Sequence, residues 1–367
     1  MYIVIFSSLL ALLFTYLESK GQMRNGMKTG FFLVTFLGAI HYDYGNDYMS
    51  YLNLYNEVTN YNFDLKGILE KDNYKEPGWV LLCWFFKYIG GFFMMVAILN
   101  VIQNCIVYQF IKKYVERQWW PLSIFIYLFG TSFYLMSFSM LRQEFVIIVF
   151  LGLWSLIVKR KWWLPLITLY LCSHIHSSAL VLIPFSFWGY LSVKKSKIIA
   201  LIYALLLFTL WIFQDVLNDI FQFVLEMDEV FLSYADTYGT SKNERLHLGL
   251  GFAIYFIPFI LSIAFLVSKQ NKNSVQMKQL VALSAISFLV TPFGQIIQLV
   301  GRLSMYFSIY NLGTVPLIYG NIKNNIFKRV LLSLYIFVVL YDYFLFFRSP
   351  VWIDKYTHFH TIFSQLF

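Results

Sequence analysis

Charge is what this chain has least of. Asp, Glu, Lys and Arg make up 13% of its 367 residues, against roughly a quarter in a soluble domain. With 59% hydrophobic and 21% aromatic residues and a mean hydropathy of +0.64, that scarcity excludes an ordinary soluble fold. Cysteine is nearly missing, and Cys83, Cys105 and Cys172 all lie in apolar runs, where they act as small hydrophobes, so no disulfide is expected. The chain shows no internal repeat, no low-complexity tract and no phosphate-binding glycine loop. A nucleotide-driven cytoplasmic engine is therefore not expected. The first apolar run, Met1 to Leu17, has neither a basic leading region nor a small-residue cleavage site, and reads as a first span rather than a removable signal.

What is there is a series of apolar runs of membrane-spanning length, such as Phe92 to Phe110 and Ile198 to Phe213. They predict an all-α, polytopic integral membrane protein, because lipid offers no water to satisfy an open backbone. The net charge of +9 has a topological cause. Lys20, Arg24 and Lys28 form a first basic cluster, and Lys112, Lys113 and Arg117 a second. Lys159, Arg160 and Lys161 form the third, and Lys194, Lys195 and Lys197 the fourth. Lys269, Lys272 and Lys278, then Lys323, Lys328 and Arg329, complete the set. These clusters hold 18 of the 28 basic residues, and placing all of them in the cytoplasm gives an alternating topology without conflict. The basic balance thus reports orientation, and nucleic acid is excluded as a partner.

Spans are expected near 1–17, 28–42, 92–111, 119–138, 141–158, 162–174, 177–191, 197–214, 248–267, 279–298, 303–320 and 330–347, about twelve crossings in one transmembrane domain covering 1–367. Trp79 to Ile89 is too short to cross and is expected as a half-inserted helix on the outer side. Two outer loops, 43–77 and 215–247, are long enough for short interfacial helices. In the first, Tyr48, Tyr51, Leu52 and Tyr55 share a helical face; in the second, Val216, Ile220, Val224, Met227 and Phe231 do so. Both faces are expected at the bilayer surface. Tyr48, Tyr51, Tyr55, Tyr234 and Tyr238 are the aromatics expected to meet a polar ligand.

Ionisable groups at the ends of spans are functional candidates by default, and here they share the outer side: His41, His174, His176, His247, His358 and His360, with Asp47, Glu76, Arg142, Glu144 and Arg302. Arg142, beside Gln143 and Glu144, opens a span, where helix-terminal N–H groups already favour an anion; the plainer reading is headgroup snorkelling or pairing with Glu144. Arg302 stands in the same relation to its span. His174 and His176 alternate through a turn that can aim both rings into one cavity as base or donor, and a zinc site there lacks a third and fourth ligand. Asp47 suits a helix N-cap and equally a base or sugar-hydroxyl acceptor. Glu76, before Pro77-Gly78, is a turn residue aimed at the same cavity, and an Asp43/Asp47 pair is a weak divalent-ion signal. No cofactor and no metal are expected.

These segments resemble, in order, the motifs of the EpsG/Wzy-type polysaccharide polymerases: Gly45-Asn46-Asp47-Tyr48 with Tyr51, Glu76-Pro77-Gly78, Leu141-Arg142-Gln143, His176-Ser177-Ser178-Ala179-Leu180, and Gly301-Arg302 with Tyr306-Phe307. The resemblance covers about residues 40–310. It departs from the pattern at His41-Tyr42-Asp43, where an Arg is common, and at Met140-Leu141, where a small residue is common. The resemblance implies a GT-C-like membrane glycosyltransferase on the outer face of the bacterial inner membrane. A growing glycan would pass from undecaprenyl diphosphate to a new lipid-linked repeat unit, without cofactor or ATP. Arg142 and Arg302 would meet the charge of the leaving diphosphate, and His176 or Asp47 would deprotonate the acceptor hydroxyl. Gln143, Glu144 and Tyr306 would orient substrate, with His174, Glu76, Tyr48 and Tyr51 lining the site. Implied partners are undecaprenyl-diphosphate-linked oligosaccharides and membrane lipid, with chain-length regulator, flippase and ligase proteins alongside. Competing readings are a flippase for lipid-linked sugars, which calls for a midplane site and usually paired halves, and a glycan ligase with similar chemistry. A membrane acyltransferase has only His176 in its favour.

Overall fold

The computed structural model describes residues 1–60, 63–69, 76–192, 196–213, 250–268, 275–291 and 298–365, with Asp215, Val216 and Asp219 as isolated positions. It divides into two compact units, Met1–Tyr190 with Val339–Phe367, and Leu191–Val338. The first unit begins with α1 (Tyr2–Ser19) and α2 (Gly26–Ile40), an antiparallel hairpin. Small residues let these helices touch: a Cβ on Gly26 would lie 2.1 Å from the Phe14 carbonyl oxygen, and one on Gly30 2.9 Å from the Ala11 backbone. Glu18 closes the turn by accepting the Met27 N–H at 2.7 Å.

Next come β1 (His41–Tyr42), α3 (Tyr48–Asn60), α4 (Leu65–Leu69), α5 (Pro77–Lys87) and α6 (Gly91–Tyr114). They are followed by α7 (Trp120–Phe129), α8 (Leu141–Val158), α9 (Trp163–Ser173) and a long 3-10 helix, Ser177–Tyr190. The second unit holds α10 (Ser196–Ile212), α11 (Leu250–Val267), α12 (Val275–Val290), α13 (Gln298–Ser308), α14 (Asn311–Asn321) and the start of α15 (Asn325–Phe346). Its core gathers Tyr203, Phe259, Ala285, Phe288 and Leu289, and the Tyr203 hydroxyl donates to the Ala282 carbonyl at 2.9 Å. After α15 the chain returns to the first unit with α16 (Ile353–Thr357) and β2 (His360–Thr361).

Among the described residues four helices are long and apolar enough to cross a membrane: α1, α6, α8 and α15. Shorter apolar helices accompany them, including α2, α9, α12 and the 3-10 segment. The chain is therefore a helical membrane protein, and several of the expected runs are interrupted. The run expected at 119–138 breaks after Phe129, where Gly130 packs so tightly that a Cβ would lie 2.5 Å from the Ile126 carbonyl oxygen. The run at 303–320 divides between α13 and α14, and the run at 177–191 winds as a 3-10 helix around Pro184. The helix expected in 215–247 lies outside the described residues apart from Asp215, Val216 and Asp219, as do Tyr234, Tyr238 and His247.

Two features correct the expected picture of the outer loops. The aromatic face of α3 does not lie open to lipid or ligand: Tyr48, Tyr51 and Tyr55 are 0%, 8% and 7% exposed, packed with Trp79, Trp84 and Phe92 of α5 and α6. Helical spacing defines a face but not what covers it, and here α5 covers it. The second feature is a small antiparallel ladder, with His41 opposite Thr361 and Tyr42 opposite His360. Around it Lys355 Nζ bridges both Asp43 oxygens at 2.9 and 3.1 Å, and Tyr44 is buried among Phe138, Tyr356 and Phe359. The C-terminal segment thus clamps the loop that leads into α3.

Candidate active site

The site is assembled from helix starts and one turn. Glu76 sits at the N-cap of α5, and Pro77 follows in the first turn, where a missing N–H costs nothing. Gly78 admits another stretch of backbone. Its N–H donates to the His174 carbonyl at 2.8 Å, the Trp79 N–H reaches the same oxygen at 3.3 Å, and a Cβ on Gly78 would lie 2.8 Å from it. The turn after α9 is thereby pinned to the start of α5, and His176, two residues on, meets Glu76.

The Glu76 carboxylate is the hub. Oε1 accepts His176 Nδ1–H at 2.9 Å and the Ser177 N–H at 3.1 Å, while Oε2 is paired with Arg142 Nη1. An ionised carboxylate only accepts, so Nδ1 carries a proton and Nε2 is the ring nitrogen that Glu76 leaves free. Arg142, in the first turn of α8, also hydrogen-bonds the Tyr51 hydroxyl and lies 5.2 Å from the centroid of its ring. Tyr51 in turn rests on Trp79. Burial by itself would raise the Glu76 carboxyl; the His176 hydrogen bond, the Arg142 charge and the Ser177 N–H outweigh it and hold the group below the ordinary carboxylate range.

Asp47 adjoins this cluster. Its carbonyl accepts the Tyr51 N–H at 3.0 Å, which makes it the N-cap of α3, and its carboxylate accepts the Ser139 hydroxyl at 3.2 Å, just ahead of α8. Gly45 makes that approach possible. Its φ of +112° lies in the region glycine favours, and a Cβ there would fall 2.5 Å from the Phe138 carbonyl oxygen. Gly45→Ala is accordingly expected to destabilise the folded protein by about 1–3 kcal/mol, read by thermal unfolding in detergent. An unchanged melting temperature would show that the loop relaxes around the added carbon.

Of the residues singled out in sequence, Glu76, Arg142, His176 and Tyr51 meet directly, with Asp47 beside them. The two His rings have different partners. The His174 ring packs edge-on against Tyr170 at 5.2 Å, and its contribution is the carbonyl that holds α5. Glu144 turns away from Arg142 into the bundle, where Oε1 accepts Gln103 Nε2–H at 3.2 Å; Gln143 is buried as well. Tyr48 is buried with its hydroxyl donating to the His41 carbonyl at 3.3 Å, a core position rather than a ligand face. Asp43 and Asp47 are held by Lys355 and Ser139 rather than facing each other as an ion pair of ligands. Arg302 and Tyr306 lie on α13 in the second unit, where Tyr306 is buried. Sequence reading missed Ser139, the Ser177 amide and Lys355. Only Ser139 carried a local hint, its place just ahead of Leu141-Arg142.

Fold and site together define a helical membrane protein whose polar chemistry is a carboxylate, histidine and arginine at clustered helix ends. The EpsG family model matches residues 27–358, and the chain belongs to the EpsG family, a membership that supports a role of the polysaccharide-polymerase type. No curated protein and no solved structure matches it.

Proposed function

We propose that this protein is a GT-C-type repeat-unit polymerase of the bacterial inner membrane. It transfers a growing glycan from undecaprenyl diphosphate to the terminal sugar of a new lipid-linked unit on the outer, periplasmic side, towards O-antigen of lipopolysaccharide, capsule or exopolysaccharide. The observation that carries this reading is the Glu76 carboxylate shared between His176 and Arg142. Glu76 orients His176 so that Nε2 is its free base, which favours His176 over Asp47 for deprotonating the acceptor hydroxyl. As that oxygen bonds to the anomeric carbon, the carbon–oxygen bond to diphosphate breaks and its electron pair leaves with the diphosphate. Arg142 meets the developing charge through N–H groups that Glu76 does not use. Asp47, fixed by Ser139, is placed to accept a hydroxyl of the sugar. The resemblance assigns Arg302 to the same leaving group; the geometry described above carries Arg142.

The test is a gel of surface and lipid-linked glycans from cells lacking the protein and from complemented cells. Single repeat units on the outer face, replaced by a ladder on complementation, are the expected result. Units trapped at the inner leaflet would replace this reading with a flippase, and long lipid-linked chains left unattached would replace it with a ligase.

A further inference from the structure

Behind the candidate site lies a second polar constellation that the proposed chemistry does not use. Gly38 on α2 has no Cβ, and one would fall 2.3 Å from the Asn100 amide of α6, so the two helices meet closely there. Below this contact a chain of hydrogen bonds crosses the bundle. Gln103 Nε2 donates to the Tyr127 hydroxyl at 3.0 Å and to Glu144 Oε1 at 3.2 Å; Tyr127 donates to Asn104 Oδ1 at 2.9 Å, and Asn104 donates to Asn100 Oδ1 at 2.9 Å. Two atoms are left over. His41 Nε2 and Glu144 Oε2 are buried without a partner, on residues 1% and 3% exposed. Both residues line one cavity of about 20 Å³, together with Asn100, Gln103, Ser137 and Leu141.

We propose that this cavity is a binding site for a single water molecule held between His41 Nε2 and Glu144 Oε2. His41 Nδ1 lies 2.6 Å from the Gly38 carbonyl, which only accepts, so Nδ1 carries the hydrogen and Nε2 of the neutral ring offers a lone pair. The site therefore needs a donor. Ser137 does not supply it, because its hydroxyl donates to the Tyr134 carbonyl at 2.7 Å. A water donates one hydrogen to Nε2 and uses its remaining capacity on Oε2, and a volume above about 10–15 Å³ accommodates one. Left dry, both atoms would bear the desolvation penalty of an unsatisfied buried polar group. A metal ion is disfavoured, since no group of three or more ligating side chains occurs among the described residues.

The water would tie the end of α2 to the first turn of α8. The first leads straight into the loop that carries Asp47, and the second carries Arg142, so His41 and Glu144 act as positioning residues. The water site itself stands whether or not the protein is a polymerase.

The experiment is water-edited solid-state NMR on the full-length protein in bilayers, with ¹⁵N-labelled histidine and the His41 signal assigned by its loss in His41→Phe. Early magnetisation transfer from water to His41 Nε2 is expected in the wild type, retained in Glu144→Gln and lost in Glu144→Leu. In thermal unfolding, His41→Phe and Glu144→Leu should be non-additive, the second lowering the melting temperature by less than about half of its effect alone. A dry His41 ring, or transfer that persists unchanged in Glu144→Leu with additive melting shifts, would overturn the site. If Glu144→Leu fails to fold, loss of transfer in Glu144→Gln would overturn it too, because the amide keeps the shape and a partner for water.

Discussion

Arg142→Ala is expected to stop chain extension while the protein still inserts and accumulates. The guanidinium is held from two sides, by the Glu76 carboxylate and the Tyr51 hydroxyl, in the first turn of a membrane-spanning helix. Such fixation makes it a preorganised cation, which needs no rearrangement when charge appears on a leaving diphosphate. Removing one group of this kind lowers a rate by about 10²–10³, enough to collapse a ladder to single units. Arg142→Lys should fall nearly as far, because a lone ammonium does not reproduce a planar fork reaching Glu76, Tyr51 and phosphate at once. The measurement is the ladder in complemented cells together with immunoblotted protein in the membrane fraction. Wild-type chain lengths from Arg142→Ala would remove the residue from the mechanism and leave the Glu76–His176 pair to stand alone.

How far this site was legible in the sequence depends on the kind of contact. Glycine, proline and N-cap carboxylates announce local backbone needs, so Gly45-Asn46-Asp47 and Glu76-Pro77-Gly78 could be singled out without knowing what they touch. What they touch is remote: Ser139 stands 92 positions from Asp47, and Lys355 stands 312 from Asp43. No periodicity encodes such a pairing. Glu144 is the instructive case. It sits two residues after Arg142, and two helical steps turn a side chain by about 200°, so helix geometry already sent the two to opposite faces. Polar character near a span end suggested one shared cavity, and the helix made two.

The fold was legible in the same uneven way. Apolar runs and basic clusters mark a polytopic helical chain, because burial in lipid demands helices and positive charge stays in the cytoplasm. They do not mark where a run breaks. Gly130 reads as one glycine in an apolar stretch, yet α7 ends there, and the segment that follows carries Ser139 to Asp47. The α3 aromatics are a parallel case, since a lipid-facing Tyr stripe and one packed on Trp79 and Phe92 have the same spacing.

Glu76→Gln should be the most damaging change that preserves shape. Both carboxylate oxygens accept hydrogen bonds, Oε2 from the Arg142 guanidinium and Oε1 from the His176 ring and the Ser177 amide. An amide accepts on one side only. Its NH₂ would face either the guanidinium or the imidazole N–H, so one of the two partners is released whichever way it turns. The loss is about 1–3 kcal/mol of local stability, and with it goes the tautomer that leaves His176 Nε2 free, so chain extension should fall with Arg142 still present. The acid dependence follows from the same contacts. Because the folded protein holds Glu76 below its ordinary value, the cluster adds stability above the unfolded carboxyl's pKa of about 4.3 and loses it as pH falls through the folded value. Glu76→Gln should remove that part of the acid destabilisation and leave the rest. Thermal unfolding of both proteins in detergent from neutral pH down to about pH 3 would show the two curves converging in acid; parallel curves would mean that Glu76 has the same pKa folded and unfolded, so that the cluster does not favour its ionised form.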